Sequence, residues 1–241
     1  MERSICAAQN SICITFAAAV GAEKYRLPPK LTPMRILIAD DHTLIREGLR
    51  KILVESFPFA DIFDVADSAD LLKKALNEKW DIIISDISMP GYSGIEILKQ
   101  IKEHAPQTPV LMLSMHAPEQ YAVRSLKAGA SGYLTKESAP YELVKAVQQI
   151  LSGRKYITSE VAEVLAGSIE QNNSQAPHEQ LSDREFEVFK MIVMGKSISA
   201  IGEILSLNVN TISTYRSRIM EKMHMQNNAD LVKYAILNNI I

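Results

Sequence analysis

Short apolar runs alternate with longer amphipathic stretches between residue 34 and about residue 151. Five runs rich in apolar and β-branched residues occupy positions 34–39, 61–66, 80–86, 110–114 and 132–134. The stretches that follow, at 43–56, 69–78, 95–104, 119–127 and 140–151, repeat apolar residues every three or four positions, as helices packed on one side do. This alternation predicts five βα units and an α/β doubly wound fold with a five-stranded parallel sheet.

Local signals refine the helices and the segment that follows them. Thr43 is the predicted cap of the first helix, whose inward face is predicted to hold Leu44, Ile45, Leu49, Ile52 and Leu53. A short helix is predicted at 159–166, ended by Gly167. Residues 171–177, which read QNNSQAP, are predicted to be a flexible tether. We therefore divide the chain into a first domain at 34–153, a linker at 154–180 and a second domain at 181–241.

The second domain is predicted to be helical throughout. Ser182 and Glu185 form a capping box for a first helix, which carries Phe186, Phe189 and Ile192 inward and stops at Gly195. Ser197 caps a second helix with Ile201, Ile204 and Leu205 inward. After a turn at 206–207, Asn208 caps a third helix that runs to about residue 223, and a last helix follows at 229–239. Two short helices joined by a tight turn predict a helix-turn-helix in a small all-α domain.

The composition limits the possible functions but does not identify one. The chain has 241 residues, is 47% hydrophobic and has a formal net charge of −2, so any nucleic-acid binding must come from a local patch. Its two cysteines, Cys6 and Cys13, lie before residue 34, which excludes a disulfide framework and cysteine-ligated zinc in both domains. Residues 1–33 loosely imitate a secretory signal. We expect instead a disordered extension or a misassigned start, since residue 34 begins the first strand directly.

Carboxylates follow two of the predicted strands. Asp40 and Asp41 end the first strand and Asp86 ends the third. The carboxyl ends of neighbouring parallel strands meet at one crevice, where three acids would repel one another unless a cation such as Mg²⁺ neutralised them. Ser114 and Lys136 end later strands. The set predicts a site that accepts a phosphoryl group on Asp86, with the metal and the lysine stabilising its charge.

The third helix of the second domain has one apolar and one polar side. Ile212, Ile219 and Met223 face the core by helical periodicity. The opposite side carries Asn210, Thr214, Ser217 and Glu221, and Ser213 and Arg218 flank it. Short polar side chains can approach base edges in a major groove. Arg216, Arg218 and Lys222 supply cations for DNA phosphates. The alternative on these residues alone is a solvated helix in a packing domain.

These motifs resemble those of bacterial two-component response regulators of the NarL/FixJ family. Residues 34–153 resemble a flavodoxin-like receiver domain, and 181–241 resemble a LuxR-type helix-turn-helix. The second match rests on Leu181, Ser182, Asp183, Arg184, Glu185, Gly195, Ile201, Leu205, Thr211, Ile212, Arg216, Ile219, Lys222 and Met223. Tyr215 stands where the family often has histidine, and its hydroxyl is a candidate phosphate contact.

The resemblance implies a role for each site residue. Asp86 would be the phosphorylated aspartate, and Asp40, Asp41, Asp86 and the backbone carbonyl of Ser88 would bind Mg²⁺. Ser114 and Lys136 would engage the phosphoryl group, and Tyr133 would be the switch aromatic that turns inward. Phosphorylation would shift an equilibrium between surface conformations at 114–151, and thereby free or dimerise the DNA-binding domain.

The resemblance also implies the partners. They are a sensor histidine kinase or phosphotransfer protein, double-stranded DNA, a second copy of the chain held through the last helix, and RNA polymerase, with no membrane. Half-sites would lie about one DNA turn apart. We expect a cytoplasmic transcription regulator that is not an enzyme. Two alternatives remain: a DNA-binding regulator independent of phosphorylation, and an aspartate-nucleophile phosphohydrolase, although Asp86-Ile87-Ser88 lacks the second acid of the D-x-D pattern.

Overall fold

The structure, a computed structural model, describes residues 33–170, 176–238 and 240. Its first part alternates five strands with five helices: β1 (Arg35–Ala39), α1 (Thr43–Ser56), β2 (Asp61–Val65), α2 (Ser68–Asn77), β3 (Ile82–Asp86), α3 (Gly94–His104), β4 (Val110–Ser114), α4 (Pro118–Lys127), β5 (Gly132–Thr135) and α5 (Ala139–Leu151). Every predicted strand and helix of this region is present, with ends within about two residues of the predicted ones, as expected for element boundaries.

The five strands form one parallel sheet in the order β2-β1-β3-β4-β5. Helices cover both faces of the sheet, and the strand residues on both faces are accordingly apolar and buried. One buried layer joins the sheet to α1 and α5, and the other joins it to α2, α3 and α4. The strand order reverses between β1 and β3, so the carboxyl ends of these two strands open onto the same crevice. The predicted fold is confirmed.

The described residues after α5 are mostly helical. They contain α6 (Ser159–Glu170), a single 3₁₀ turn (Pro177–Gln180), α7 (Asp183–Val193), α8 (Ile198–Leu205), α9 (Val209–Met223) and α10 (Asn228–Leu237). The predicted caps at α7, α8 and α9 are confirmed. The hydroxyls of Ser182 and Ser197 accept N–H bonds from Glu185 and Ala200, and the side chain of Asn208 accepts one from Asn210.

The C-terminal helices share a buried apolar core with the sheet region. Leu181, Phe186 and Phe189 belong to the same buried apolar cluster as the residues under α3 and α4. The described residues from Met34 onward accordingly cluster as one compact unit. None of the described residues forms a helix that is long and apolar enough to cross a membrane.

Four local expectations were wrong. His42, rather than Thr43, occupies the cap position of α1, and it makes no side-chain cap bond. Leu44 is 81% exposed and Ile204 is 44% exposed, although both were placed on inward faces. Helical periodicity locates the buried face of a helix only to within about the 100° that separates successive residues, and Leu44 and Ile204 lie at the edges of their buried faces.

The fourth error is the end of α6. The helix runs through Gly167 to Glu170, and the backbone of Gly167 does not adopt the left-handed conformation that ends helices. A glycine inside a helix costs about 1 kcal/mol relative to alanine but does not stop it. Most of the predicted tether, 171–175, and the predicted extension at 1–32 lie outside the described residues.

Candidate functional site

The phosphoacceptor candidate lies at the carboxyl end of the central strand. Asp86 is the last residue of β3 and is 1% exposed, and Asp40 follows β1 with no exposed surface. The Nζ atom of Lys136, just after β5, lies 2.6 Å from Asp40 Oδ2 and 2.8 Å from Asp86 Oδ2. The sheet thus brings together three charged groups that are 46 and 50 residues apart in the sequence, as expected from the carboxyl ends of neighbouring strands.

Burial dominates the electrostatics of this group. Desolvation raises the pKa of Asp86 from 3.8 to about 6, against the opposing effect of Lys136 and of the Ser88 backbone. Burial would lower the pKa of Lys136, but the nearby carboxylates of Asp86 and Asp40 raise it above its ordinary value. Lys136 therefore remains an ammonium that partly neutralises two buried acids.

The donor set fits a hard divalent cation. Carboxylate oxygens of Asp40, Asp41 and Asp86 lie within 4.8 Å of one another, together with a ring nitrogen of His42. Asp86 Oδ1 is buried and makes no hydrogen bond, which leaves one oxygen of the central carboxylate available to a ligand. Oxygen ligands are those that Mg²⁺ prefers. Asp40, Asp41 and Asp86 are therefore suited to hold Mg²⁺.

Ser114 and Tyr133 lie next to this crevice on β4 and β5. The Ser114 hydroxyl accepts the backbone N–H of His116 at 3.0 Å, and the Tyr133 hydroxyl donates to the carbonyl of His116 at 2.9 Å. Tyr133 is 1% exposed, so its ring points inward rather than lying half-buried. Burial raises the pKa of Tyr133 to about 12, which keeps its hydroxyl protonated and able to donate.

The DNA-binding candidate is the outer side of α9. Ile212, Ile219 and Met223 are buried, as the helical periodicity predicts. The residues predicted on the opposite side and on its flanks are exposed; they are Asn210, Ser213, Thr214, Ser217, Arg218 and Glu221. Side chains of this size and polarity can reach base edges from a helix in the major groove.

Three other candidates on α9 have partners within the chain. Lys222 Nζ forms an ion pair of 2.6 Å with Glu185, the capping-box acid of α7, and Arg216 Nε donates to Asn228 at 2.9 Å. Tyr215 is half-buried and packs against the apolar core. Besides Glu221 on the same helix, Glu185 of α7 thus places a second negative charge beside these cations. Arg218 is the most exposed cation of this helix among the described residues.

A contact region that sequence reasoning missed joins the two domains. The Asp183 carboxylate, in the first turn of α7, lies 2.6 Å from Lys99 Nζ on α3 and 3.4 Å from Arg124 Nη1 on α4. Arg124 also donates to the carbonyls of Leu181 and His178, at 2.8 and 2.6 Å. No pattern in the sequence pairs these residues, because each is separated from its partner by more than 50 positions.

The same contact region reaches the loop that follows Asp86. Arg184 Nη2 donates to the carbonyl of Gly91 at 2.6 Å, and Tyr121 packs edge-on against Phe186 at 5.5 Å between ring centroids. Lys190 Nζ lies 4.8 Å from the centre of the Tyr121 ring. A cavity of about 250 Å³ lies beside these contacts and extends to Asp41 and Ser88 at the rim of the acidic crevice. The helical domain is therefore docked next to the phosphoacceptor candidate.

Comparisons with known proteins agree with this architecture. A family model described as response regulator receiver domain matches residues 36–148, and one described as bacterial regulatory proteins, luxR family, matches 179–235. The chain is 32% identical over 208 residues to the response regulator UvrY of Escherichia coli K12, covering 86% of this chain and 95% of UvrY. It is 30% identical over 209 residues to the response regulator GacA of Pseudomonas viridiflava, with 86% and 98% covered.

A solved structure of RcsB from Salmonella enterica serovar Typhimurium is also similar. That protein is bound to the promoter rprA in the presence of the phosphomimetic BeF₃⁻, and it aligns with a TM-score of 0.58 at 27% identity over 84% of this chain and 98% of that one. The matches span the receiver and the helix-turn-helix in a single alignment. The chain therefore belongs to the NarL/FixJ family of response regulators, which join a receiver domain to a LuxR-type DNA-binding domain.

Proposed function

We propose that Asp86 accepts a phosphoryl group from a histidine kinase or phosphotransfer protein and that this controls transcription through α9. The observation that carries the proposal is the state of the Asp86 carboxylate. It is buried, one oxygen is bound by Lys136, and the other oxygen makes no hydrogen bond. We assign residues 34–153 to the receiver, 154–180 to the linker and 181–241 to the DNA-binding domain, in a cytoplasmic protein that is not an enzyme.

The transfer is a substitution at phosphorus. An Asp86 carboxylate oxygen forms a bond to phosphorus, the bond from phosphorus to the donor's imidazole nitrogen breaks, and its electron pair stays on that nitrogen, which is then protonated. Mg²⁺, held by Asp40, Asp41, Asp86 and the Ser88 carbonyl, would supply charge neutralisation during the transfer. Lys136 and the Ser114 hydroxyl would contact the oxygens of the transferred group.

The DNA contacts are proposed from the exposed side of α9. Asn210, Ser213, Thr214 and Ser217 would face the bases, and Tyr215, Arg216, Arg218 and Lys222 would contact phosphates. By analogy with the solved complex of RcsB with a promoter, the partner is double-stranded DNA. A second copy of the chain, joined through α10, and RNA polymerase complete the proposed set, with no membrane.

The phosphoacceptor assignment is tested by phosphorylation in solution. Wild type and Asp86→Asn are incubated with Mg²⁺ and acetyl phosphate, and covalent acid-stable, base-labile phosphate is measured by mass spectrometry. Asp64→Asn, a partly exposed aspartate on β2 that pairs with Arg46 and Arg50, is the matched control. Loss of the modification in Asp86→Asn alone is expected. Continuous release of phosphate from phosphomonoesters by wild type would favour the phosphohydrolase instead.

The DNA assignment is tested on fragments recovered by genome-wide mapping of bound DNA with wild type and Asp86→Asn. Arg218→Ala should weaken binding and reduce the salt dependence of the affinity by about one charge, because one phosphate contact is lost. Arg154→Ala, which removes an exposed arginine far from α9 in sequence, is the control. Equal salt dependence in both variants would contradict the assignment of Arg218. Identical binding maps for wild type and Asp86→Asn would show a regulator independent of phosphorylation.

A further inference from the structure

His42 adds a nitrogen atom to the acidic crevice formed by Asp40, Asp41 and Asp86. Its Nδ1 lies 2.8 Å from Asp41 Oδ1 and 3.4 Å from Asp40 Oδ1. One donor atom from each of these residues and one from Asp86 all lie within 4.8 Å of one another. An octahedral ion with bonds of about 2.1 Å holds adjacent ligand atoms about 3 Å apart and opposite ones about 4 Å apart. The four donors therefore have spacings compatible with a single bound ion.

The start of α1 fixes the position of the His42 backbone. The backbone N–H of His42 donates to Asp40 Oδ1 at 2.8 Å, and its carbonyl accepts the N–H groups of Ile45 and Arg46. His42 occupies the cap position of α1, but its side chain makes no cap bond and lies against the acids instead. A ligand held on a rigid element keeps its geometry without a further ordering cost. The ring is thus available to the crevice rather than to the helix end.

The crevice also contains a buried oxygen without a partner. Asp86 Oδ1 is buried and makes no hydrogen bond, whereas Oδ2 accepts from Lys136. Within this group, three carboxylates stand against the ammonium of Lys136, so a dication would balance the charge. The alternative is that His42 only forms a surface ion pair with Asp41. Such a pair explains the distance of 2.8 Å but leaves the buried oxygen of Asp86 without a ligand.

We infer that His42 is a nitrogen ligand for a first-row transition dication in this crevice, and that it gives the site a preference for such an ion over Mg²⁺. Mg²⁺ takes oxygen ligands and retains several waters. Imidazole nitrogen suits the transition dications instead. The inference rests on the proposed function, because it names the class of metal that serves the phosphoacceptor site. Without His42, the three acids form an oxygen-only site that discriminates less against Mg²⁺.

The inference is tested with Mg²⁺, Co²⁺ and Mn²⁺ as probes. The full-length chain carries serine in place of Cys6 and Cys13, because thiolates also bind transition metals. Affinities for Mg²⁺ and Co²⁺ are measured by isothermal titration calorimetry for this parent and for His42→Asn, which replaces the ring by an amide. The His42 side chain is 61% exposed, so the change does not disturb the core. His104→Asn, which removes an imidazole that contacts the carbonyl of Gln100 at the end of α3, is the matched control.

His42→Asn is expected to bind Co²⁺ about tenfold more weakly than the parent, with the affinity for Mg²⁺ within about twofold. His104→Asn should change neither affinity. Pulsed electron paramagnetic resonance of bound Mn²⁺ should show coupling to a nitrogen nucleus in the parent and in His104→Asn, and the coupling should be absent in His42→Asn. A purely structural role of His42 would not produce that coupling.

Three results would overturn the inference. They are an unchanged affinity of His42→Asn for Co²⁺, equal falls for Co²⁺ and Mg²⁺, and a parent whose bound Mn²⁺ shows no nitrogen coupling. Each of them leaves the proposed function intact if the parent still binds Mg²⁺ and acetyl phosphate still modifies Asp86. Asp41→Asn, which removes an oxygen ligand, should weaken the binding of both metals. If it weakened neither, or if the parent bound neither, the metal site of the proposed function would be wrong as well.

Discussion

The ion pairs of Asp183 should control how often the two domains separate. Asp183→Asn removes the carboxylate that lies between Lys99 and Arg124, and it preserves the size of the side chain. Arg124 keeps its bonds to the carbonyls of His178 and Leu181, so the substitution does not leave a buried guanidinium without partners. The expected change is therefore smaller than that of an isolated buried charge.

The magnitude follows from the exposure of the three side chains. The Lys99 side chain is 53% exposed, so its pair with Asp183 contributes at most about 1 kcal/mol. The side chains of Arg124 and Asp183 are 17% and 8% exposed, and their longer charge-assisted contact contributes about 1 to 2 kcal/mol. A total of about 2 kcal/mol corresponds to a fall of about 30-fold in the ratio of docked to undocked molecules.

Single-molecule energy transfer measures this ratio. Dyes are attached at Tyr141→Cys on α5 and Leu237→Cys on α10, which are 89% and 71% exposed, in a chain without its native cysteines. Asp230→Asn serves as the control because it alters the first turn of another helix by the same chemistry. Mild urea, below the unfolding transition, brings the undocked population into the measurable range.

Two results would refute the reasoning. An unchanged docked fraction in Asp183→Asn would show that apolar contacts such as that of Tyr121 with Phe186 hold the domains together. An equal loss in Asp230→Asn would show that the substitution acts through helix stability, since an acid in a first turn contributes about 0.3 to 1 kcal/mol through the helix dipole.

Three further predictions concern stability, each measured by urea unfolding. Gly94→Ala should destabilise the protein by more than 2 kcal/mol, since its Cβ would lie 2.7 Å from the Ile87 Cα and closer still to the Asp86 carbonyl. Gly48→Ala is the control: its Cβ would meet open space, so it should stabilise the protein by about 0.5 to 1 kcal/mol. Equal changes in the free energy of unfolding for the two variants would contradict the close packing at Gly94. Lys136→Met should cost about 3 kcal/mol at pH 7 by leaving the acids uncompensated, and Mg²⁺ should recover part of it; an equal loss with and without Mg²⁺ would contradict the metal site. Lys190→Met should add about 2 kcal/mol at pH 7, because burial lowers the pKa of Lys190 to about 8. That gain should shrink between pH 8 and 10.5, where the folded wild type has lost the proton and the unfolded chain still holds it; a gain independent of pH would contradict this cause.

The sequence predicted that Asp40, Asp86 and Lys136 would lie close together, because strand ends in a parallel sheet meet at one edge. Each strand is a buried apolar run, and the residue after it lies at the carboxyl edge whatever the loop does next. The proximity of these three residues is therefore encoded in the sequence alone. The caps of α7, α8 and α9 were also predicted, because they depend on contacts within four residues.

The exposure of residues at the edges of helices, and the contacts between residues far apart in the sequence, could not be predicted in this way. Leu44 and Ile204 have the apolar character of core residues, but whether the edge of a helix is covered depends on its neighbours. The pairing of Lys222 with Glu185 joins two helices whose approach no local pattern encodes. Tyr133 could be assigned as a switch, but only the packing around His116 shows that its ring is turned inward.

The sequence alone determined the two folds, the acidic crevice and the polar side of α9, because each of these follows from short-range periodicity and strand ends. Only the tertiary structure decided how the domains meet. Long-range contacts of Asp183, Arg124 and Arg184 set the side of α7 that faces the receiver, and thereby leave α9 open. Such contacts depend on how whole helices and strands pack against one another, and the spacing of residues along the sequence does not specify that packing.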